Sequence, residues 1–356
     1  AYKHATSGRP LRPGGRSGRA ASGGCMRIAV IGAGAVGGAL AALLHRAGHE
    51  VQVTARGVHL AAIRGNGIRL RGAWGEHTAR VDAAERIAEP VELVIVTTKA
   101  QDAAAAIAQN LAVIGDTPLL VVQNGLDAID GARAASPLSP VAGGLALFAA
   151  SYLSAAQVTV TTPGPLWIGG DEAAVAAAGV LEGSLPIHRS RDFASAQWSK
   201  LVVNQVNALP AVTGLSVQEV IAHRGLRRVL TLSMRENVRV ARALGVRFAP
   251  LGGLSDPLLR AFEAAPLWGA EALPRLMRRR MGRTPNPGST LQSIRRGQPT
   301  EIDHLNGAVV AAGERAGVPT PVNALIVRLV HEVETSRAFV VPEVVVARVV
   351  TAEPAE

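Results

Sequence analysis

Aromatic residues are scarce in this chain, with two tyrosines, five phenylalanines and four tryptophans among 356 residues. A core must be assembled from Ala, Val and Leu within a hydrophobic fraction of 48%, and little is left on which to stack nucleobases. Cysteine is rarer still. Cys25 stands alone, which excludes an internal disulfide framework and any cysteine-rich metal site. It fits a reducing compartment, so a cytoplasmic location is expected. No apolar run approaches the ~20 residues that span a bilayer, and no membrane partner is expected.

Acids are missing from residues 1–25, where Lys3, Arg9, Arg12, Arg16 and Arg19 supply half of the formal net charge of +10. That stretch is Gly/Ser/Arg-rich and lacks the apolar core of a secretory signal. It is expected to be a disordered basic extension, with the fold opening at Met26. A second basic run, "RLMRRRMGR" at 275–283, has the form of a solvated helix end rather than a phosphate track. Nucleic acid is therefore not an expected partner.

What is present begins with "MRIAVIGAGAVGGALAALLHRAGHEVQVTAR". Residues 27–31 form a continuous apolar run suited to a buried parallel strand. Gly32, Gly34 and Gly37 then fit G-x-G-x-x-G. The first allows the tight turn, the second lets backbone approach a pyrophosphate, and the third lets helix pack on strand. A helix over 36–46 follows, its N-terminal amides aimed at an anion, and "EVQVTAR" makes a second strand. Strand, glycine turn, helix and strand at this spacing predict a dinucleotide site.

The end of the second strand selects the cofactor. An NAD-binding chain places an acid there for the ribose 2′-hydroxyl. Here Thr54, Ala55 and Arg56 occupy the region, and a guanidinium matches a 2′-phosphate, so NADP is expected. "VELVIVTTKAQD" at 91–102 and "TPLLVVQNGLD" at 117–127 are two more buried strands. They place Lys99 and Asn124 at the carboxyl edge, where ligands bind in open α/β sheets. Lys99 can then reach a cofactor phosphate and Asn124 the nicotinamide side; the plainer alternatives are a solvated lysine and simple Asn-Gly turn chemistry. His45 and His49 have zinc-ligand spacing, but Gly48 lies between them and no acid follows the first as in H-E-x-x-H, so no metal is expected.

After "LPIHRSRDF" the pattern turns helical. "AQWSKLVVNQVNALPAV" at 196–212 reads as one amphipathic helix, with Trp198, Val202, Val206 and Leu209 on one side and Lys200, Asn204 and Asn207 on the other. The polar seam is either a solvated face or the wall of a cleft against the cofactor domain. Further on, a short helix is expected from Ser289, ended by Gly297 and Pro299. Thr300 then caps a second helix carrying Ile302, Leu305, Val309 and Ala312, with Asp303 completing a capping box. The expected organisation is α/β, an N-terminal Rossmann-type doubly wound sheet over 26–190 followed by an all-helical domain over 191–335, with a C-terminal tail over 336–356.

The glycine turn, "TTKAQD", "QNGLD", "WSKLVVNQVNAL" and "STLQSIRRGQPTEIDHLNG" occur in the order found in ketopantoate reductases (2-dehydropantoate 2-reductases), and over 26–330 the chain resembles that family. The resemblance implies NADPH-dependent reduction of ketopantoate to pantoate, a step toward pantothenate and coenzyme A. By motif, Lys200 corresponds to the catalytic lysine, Asn204 to a substrate-orienting asparagine, Ser289 to a substrate-binding serine and Glu301 to the active-site glutamate. Asn124 corresponds to a cleft asparagine near nicotinamide and substrate, and Arg56 and Lys99 to contacts with the cofactor 2′-phosphate. The family carries a second asparagine eight residues after the lysine. Here that position is Ala208, and Asn207, one residue earlier, is carried over in its place.

On this basis Lys200 protonates the forming alkoxide, held by Asn204 and Asn207, while Ser289 fixes the substrate and Glu301 holds its hydroxyl and keeps the lysine charged. Reduction of another 2-oxo acid, a β-hydroxy acid dehydrogenase and a non-catalytic NADP-binding protein are the competing assignments. A homodimer is an assembly this reading admits.

Overall fold

The structure, a computed structural model, describes residues 24–352 apart from Arg283. Residues 1–23 of the basic extension, and Arg283 of the second basic run, lie outside the described residues.

The strands are β1 (Arg27–Ile31), β2 (Glu50–Thr54), β3 (Ile68–Gly72), β4 (His77–Ala79), β5 (Asp82–Ala84), β6 (Leu93–Val96), β7 (Leu119–Val122), β8 (Val141–Ala146), β9 (Ala149–Ser154), β10 (Gln157–Thr162), β11 (Leu166–Gly170) and β12 (Ile187–Arg189). Eight of them form one sheet in the order β12-β11-β8-β7-β6-β1-β2-β5, parallel except between β8 and β11. β1 lies between β2 and β6, so the chain leaves its carboxyl end toward one neighbour while the other approaches from the opposite side. A crevice opens at that switch point. The interior of β1, β6 and β7 is fully buried, which is why these strands read as unbroken apolar runs.

A second, four-stranded sheet, β4-β3-β10-β9, was not expected. It covers α1 (Ala35–Arg46), which has only a glycine at 38 where Val158 of β10 comes within 2.8 Å of the place a Cβ would occupy. β3, β4 and β10 are only partly buried, so they give no unbroken apolar run that stands out from loop.

From Phe193 the ordered elements are helices. Asp192 caps the first, Phe193–Asn204, by accepting from the Ser195 amide at 3.0 Å. The single helix expected over 196–212 is broken: Gln205–Asn207 form one 3₁₀ turn, and Ala208–Thr213 a separate short helix. Pro210 accounts for this, because it has no amide to bond the Val206 carbonyl and its ring crowds that carbonyl. Trp198, Val202, Val206 and Leu209 are nonetheless all in the core, as their periodicity predicts.

Two further expectations are corrected. The helix expected from Thr300 is a 3₁₀ turn, Ile302–His304, followed by a separate helix, Asn306–Ala316. The capping box does not form, because Asp303 accepts instead from His331 Nε2 at 3.0 Å, and Thr300 donates its amide to Glu334 at 2.7 Å. The tail expected over 336–356 contains a helix, Pro342–Ala352, in which Val345 and Val349 are buried against the helices Arg224–Ala243 and Pro321–Ser336. Their i,i+4 spacing puts them on one face, and Gly225 leaves room for Val346 beside them. In the second basic run, Arg278, Arg279 and Arg280 are exposed in the last turn of the helix Ala272–Arg280, where cations suit the helix dipole.

Candidate active site

The glycine turn sits at the switch point. Gly32 has φ +96°, a conformation that favours glycine, and a Cβ there would lie 2.9 Å from the Thr98 backbone. Its amide donates to Thr54 Oγ1 at 3.0 Å and its carbonyl accepts from Thr97 Oγ1 at 2.6 Å, so β2 and β6 both clamp it. A Cβ on Gly37 would lie 2.1 Å from the Gly32 carbonyl oxygen, which forces glycine at this helix–strand contact. Gly34 is different. A Cβ there would meet no protein atom within 4 Å, so what it would fill is the crevice itself.

That crevice encloses about 340 Å³ and is lined by Gly32–Gly34, Thr54–Arg56, His59 and Thr98, with Glu85 and Asp102 at its rim. Two observations show that it suits a dinucleotide. The first turn of α1 carries no acid, leaving its amides and dipole unopposed toward an anion. Thr98 Oγ1 is buried there with no hydrogen-bond partner among the described residues.

Arg56 follows β2 and lines the crevice, its Nη2 donating to Gln109 Oε1 at 2.8 Å. Lys99 does not join it. Its Nζ donates to Ser293 Oγ at 3.0 Å and to the Pro299 carbonyl at 2.6 Å, so it bridges to the helical half. The chain after β6 turns toward the stretch 293–301, and the lysine follows it. Partial burial lowers the Lys99 pKa, opposed by Glu301 and Asp102.

Lys200 projects from the helix Phe193–Asn204 back toward the sheet, and its Nζ donates to the Ala146 carbonyl at the end of β8, 2.9 Å away. Two of its three N–H groups have no protein partner among the described residues. Burial lowers its pKa to about 8, opposed by the Glu301 carboxylate. Glu301 is fixed by the Ala100 amide, which donates to its Oε1 at 3.2 Å. Asn204, one turn beyond Lys200, donates to Asn124 Oδ1 at 3.3 Å and so ties the helix to the carboxyl edge of β7. Lys200, Asn204, Asn124 and Glu301 therefore share one cleft between sheet and helices. At Lys200 and Asn204 the seam faces the sheet.

Asn207 ends the 3₁₀ turn and packs on Gly288, where a Cβ would be 2.8 Å from its Oδ1. This brings it beside Ser289, which is exposed in the first turn of the helix Gly288–Arg295 with no hydrogen-bond partner among the described residues.

Several residues that build the site were missed. Gln197 donates to the Gly125 and Leu126 carbonyls at 3.1 and 3.2 Å and holds the Asn124 loop from the helix that bears Lys200. Gly125, at φ +92°, leaves 2.6 Å between a would-be Cβ and the His304 carbonyl oxygen, so that loop abuts the Glu301 turn. His331 bonds Asp303 through Nε2 and Glu334 through Nδ1, at 3.0 and 2.7 Å, and pins the same turn to the helix Pro321–Ser336. One signal was available. Only three of the 37 Lys and Arg residues are lysines, and two of those, Lys99 and Lys200, line this cleft.

Comparison with known proteins gives a consistent result. The family described as Ketopantoate reductase PanE/ApbA matches residues 28–172, and its C-terminal counterpart matches 192–334. The chain is similar to the 2-dehydropantoate 2-reductase of Mesorhizobium japonicum, 29% identical across 88% of this chain and 99% of that one. It is also similar to that of Archaeoglobus fulgidus, 26% identical across 87% and 98%. Among solved structures, a PanE/ApbA family ketopantoate reductase from Ralstonia eutropha superposes with a TM-score of 0.76 at 29% identity, covering 88% of this chain and 99% of that one. A D-mandelate dehydrogenase with NADH and anilino(oxo)acetate shares the fold, with a TM-score of 0.75 at 23% identity, over 87% of this chain and 99% of that one.

Proposed function

The chain belongs to the ketopantoate reductase PanE/ApbA family, and from that premise we propose that it reduces 2-dehydropantoate to pantoate with NADPH, using Lys200 as the general acid. The observation that carries this is the buried ammonium of Lys200, held over the sheet edge by the Ala146 carbonyl and facing Glu301.

When bound, NADPH supplies a hydride to the ketone carbon. The carbonyl π bond then breaks toward oxygen, and negative charge builds there. The Lys200 ammonium stabilises that oxygen and transfers a proton to it, leaving a neutral amine that solvent reprotonates. Glu301 accepts from the substrate hydroxyl and favours the charged lysine. The Asn204–Asn124 pair sets the distance between the catalytic helix and the nicotinamide end of the crevice. Ser289 and Asn207 form the far wall and hold the substrate carboxylate. Gly32, Gly34 and Gly37 with the α1 N-terminus hold the pyrophosphate, and Arg56 the 2′-phosphate.

Because the acid form of Lys200 is required, kcat/KM for reduction should fall tenfold per pH unit above about 8, the value to which burial lowers its pKa. The reverse oxidation needs the neutral amine and should rise over the same range. A pH profile in both directions checks the sign. Arg56→Ala should weaken NADPH binding by about 10- to 100-fold, the range for a lost charge-assisted contact, and leave NADH binding unchanged. Parallel titrations of the two cofactors measure it.

No helix among the described residues is long and apolar enough to cross a membrane, and we place the activity in the cytoplasm. The test of function is NADPH oxidation with ketopantoate beside a panel of other 2-oxo acids and of 3-hydroxy acids with NADP⁺. A preference for ketopantoate is expected. A preference for another 2-oxo acid would reassign the substrate, and Ala208 at the eighth position after Lys200 is the residue that favours that second reading. Cofactor binding without turnover on any of these would refute catalysis.

A further inference from the structure

We infer that His59 is a positioning residue that fixes the glycine turn for the dinucleotide and ties it, through the β9–β10 hairpin, to the helical half. It rests on the reading of the crevice as an NADPH site. His59 lies on α2 (Gly57–Asn66), one turn beyond Arg56, and lines the crevice. Its Nε2 is 2.6 Å from the carbonyl oxygen of Ala33, the residue between Gly32 and Gly34. A carbonyl can only accept, so Nε2 carries the proton. Nδ1 is then bare, and it accepts from the Ala156 amide at 3.1 Å. Both ring nitrogens are committed, which leaves His59 no lone pair or proton for chemistry on the substrate.

What it joins is specific. Ala156 turns the hairpin at φ +59°, a conformation that alanine holds only when its surroundings impose it. Tyr152, on the same hairpin, sets its ring edge-on to His59 with centroids 4.7 Å apart. The Tyr152 carbonyl in turn accepts from Arg296 Nη2 at 2.7 Å, at the end of the helix Gly288–Arg295 that carries Ser289. A continuous set of contacts thus runs from the pyrophosphate turn to the substrate-side helix, and His59 is its first link.

The test is the NADPH dissociation constant of the full chain, read from nicotinamide fluorescence, for the parent, His59→Ala and His59→Gln. Losing two neutral hydrogen bonds should weaken NADPH about tenfold. At saturating cofactor kcat should stay within about twofold, because no transition-state contact is lost. Glutamine can donate its amide to Ala33 and accept from Ala156 through its carbonyl, so His59→Gln should return to within about threefold of the parent. Should the alanine variant not fold, His59→Leu keeps the bulk without either bond and should show the same loss. Parent-like binding by His59→Ala or His59→Leu would overturn the inference, as would a glutamine variant no better than alanine. A parent that binds no NADPH would instead overturn the cofactor reading beneath it.

Discussion

Lys200→Ala should lower kcat by on the order of 10² to 10⁴, the range for loss of a positioned general acid. NADPH should still bind within about threefold of the parent, because the lost contact is made to the transition state rather than to the cofactor. The structure supports so large an effect. Among the described residues the Lys200 ammonium has one protein partner, the Ala146 carbonyl, so its remaining protons face the cleft. Among the described residues no other lysine can take its place: Lys99 is committed to Ser293 and Pro299. Lys200→Arg should fail nearly as badly, since a guanidinium does not give up its proton near neutral pH. Steady-state kinetics with a parallel binding titration separate the two parameters, and near-normal turnover by the alanine variant would remove Lys200 from the chemistry.

Glu301→Gln should lower kcat/KM for the oxo acid by about 10- to 100-fold, the equivalent of about 1.5–3 kcal/mol for a hydrogen bond to a charged group. The glutamine carbonyl can still accept from the Ala100 amide that now holds Oε1 at 3.2 Å, so the turn should keep its shape while losing its charge. A second signature follows from electrostatics. The Glu301 carboxylate raises the Lys200 pKa against the larger effect of burial, which brings it down to about 8. Removing the charge takes away the opposing influence, so the alkaline limb of the kcat/KM profile should move to lower pH. A limb that stays in place, or moves up, would mean that the two groups do not interact across the cleft.

How far the site could be read in advance differs from residue to residue. The glycine turn was legible because buried parallel strands are unbroken apolar runs and the turn between strand and helix demands glycine at fixed offsets. The second sheet was not, because its strands are only partly buried, as in β3 and β4, and so break the apolar run. Lys200, Asn204 and Glu301 were singled out because helical spacing and motif order point to them. The contacts of Lys99 with Ser293 and Pro299 were not legible, since a strand's end says where a loop begins and not which lobe its side chains meet. Pro210 was visible throughout, and its missing amide was enough to predict the break after Asn204. The helix Pro342–Ala352 also had its signal, Val345 and Val349 four residues apart.

The central claim is that the primary amine at position 200 is the proton donor. With Cys25→Ser removing the single native thiol, Lys200→Cys can be alkylated with 2-bromoethylamine, which rebuilds an amine at nearly the lysine length. The measurement is ketopantoate-dependent NADPH oxidation before and after alkylation, with the extent of modification followed by mass. The thiol variant should be nearly inactive, and the alkylated protein should recover to within about tenfold of the parent. Full turnover before alkylation, or none after complete modification, would contradict the claim.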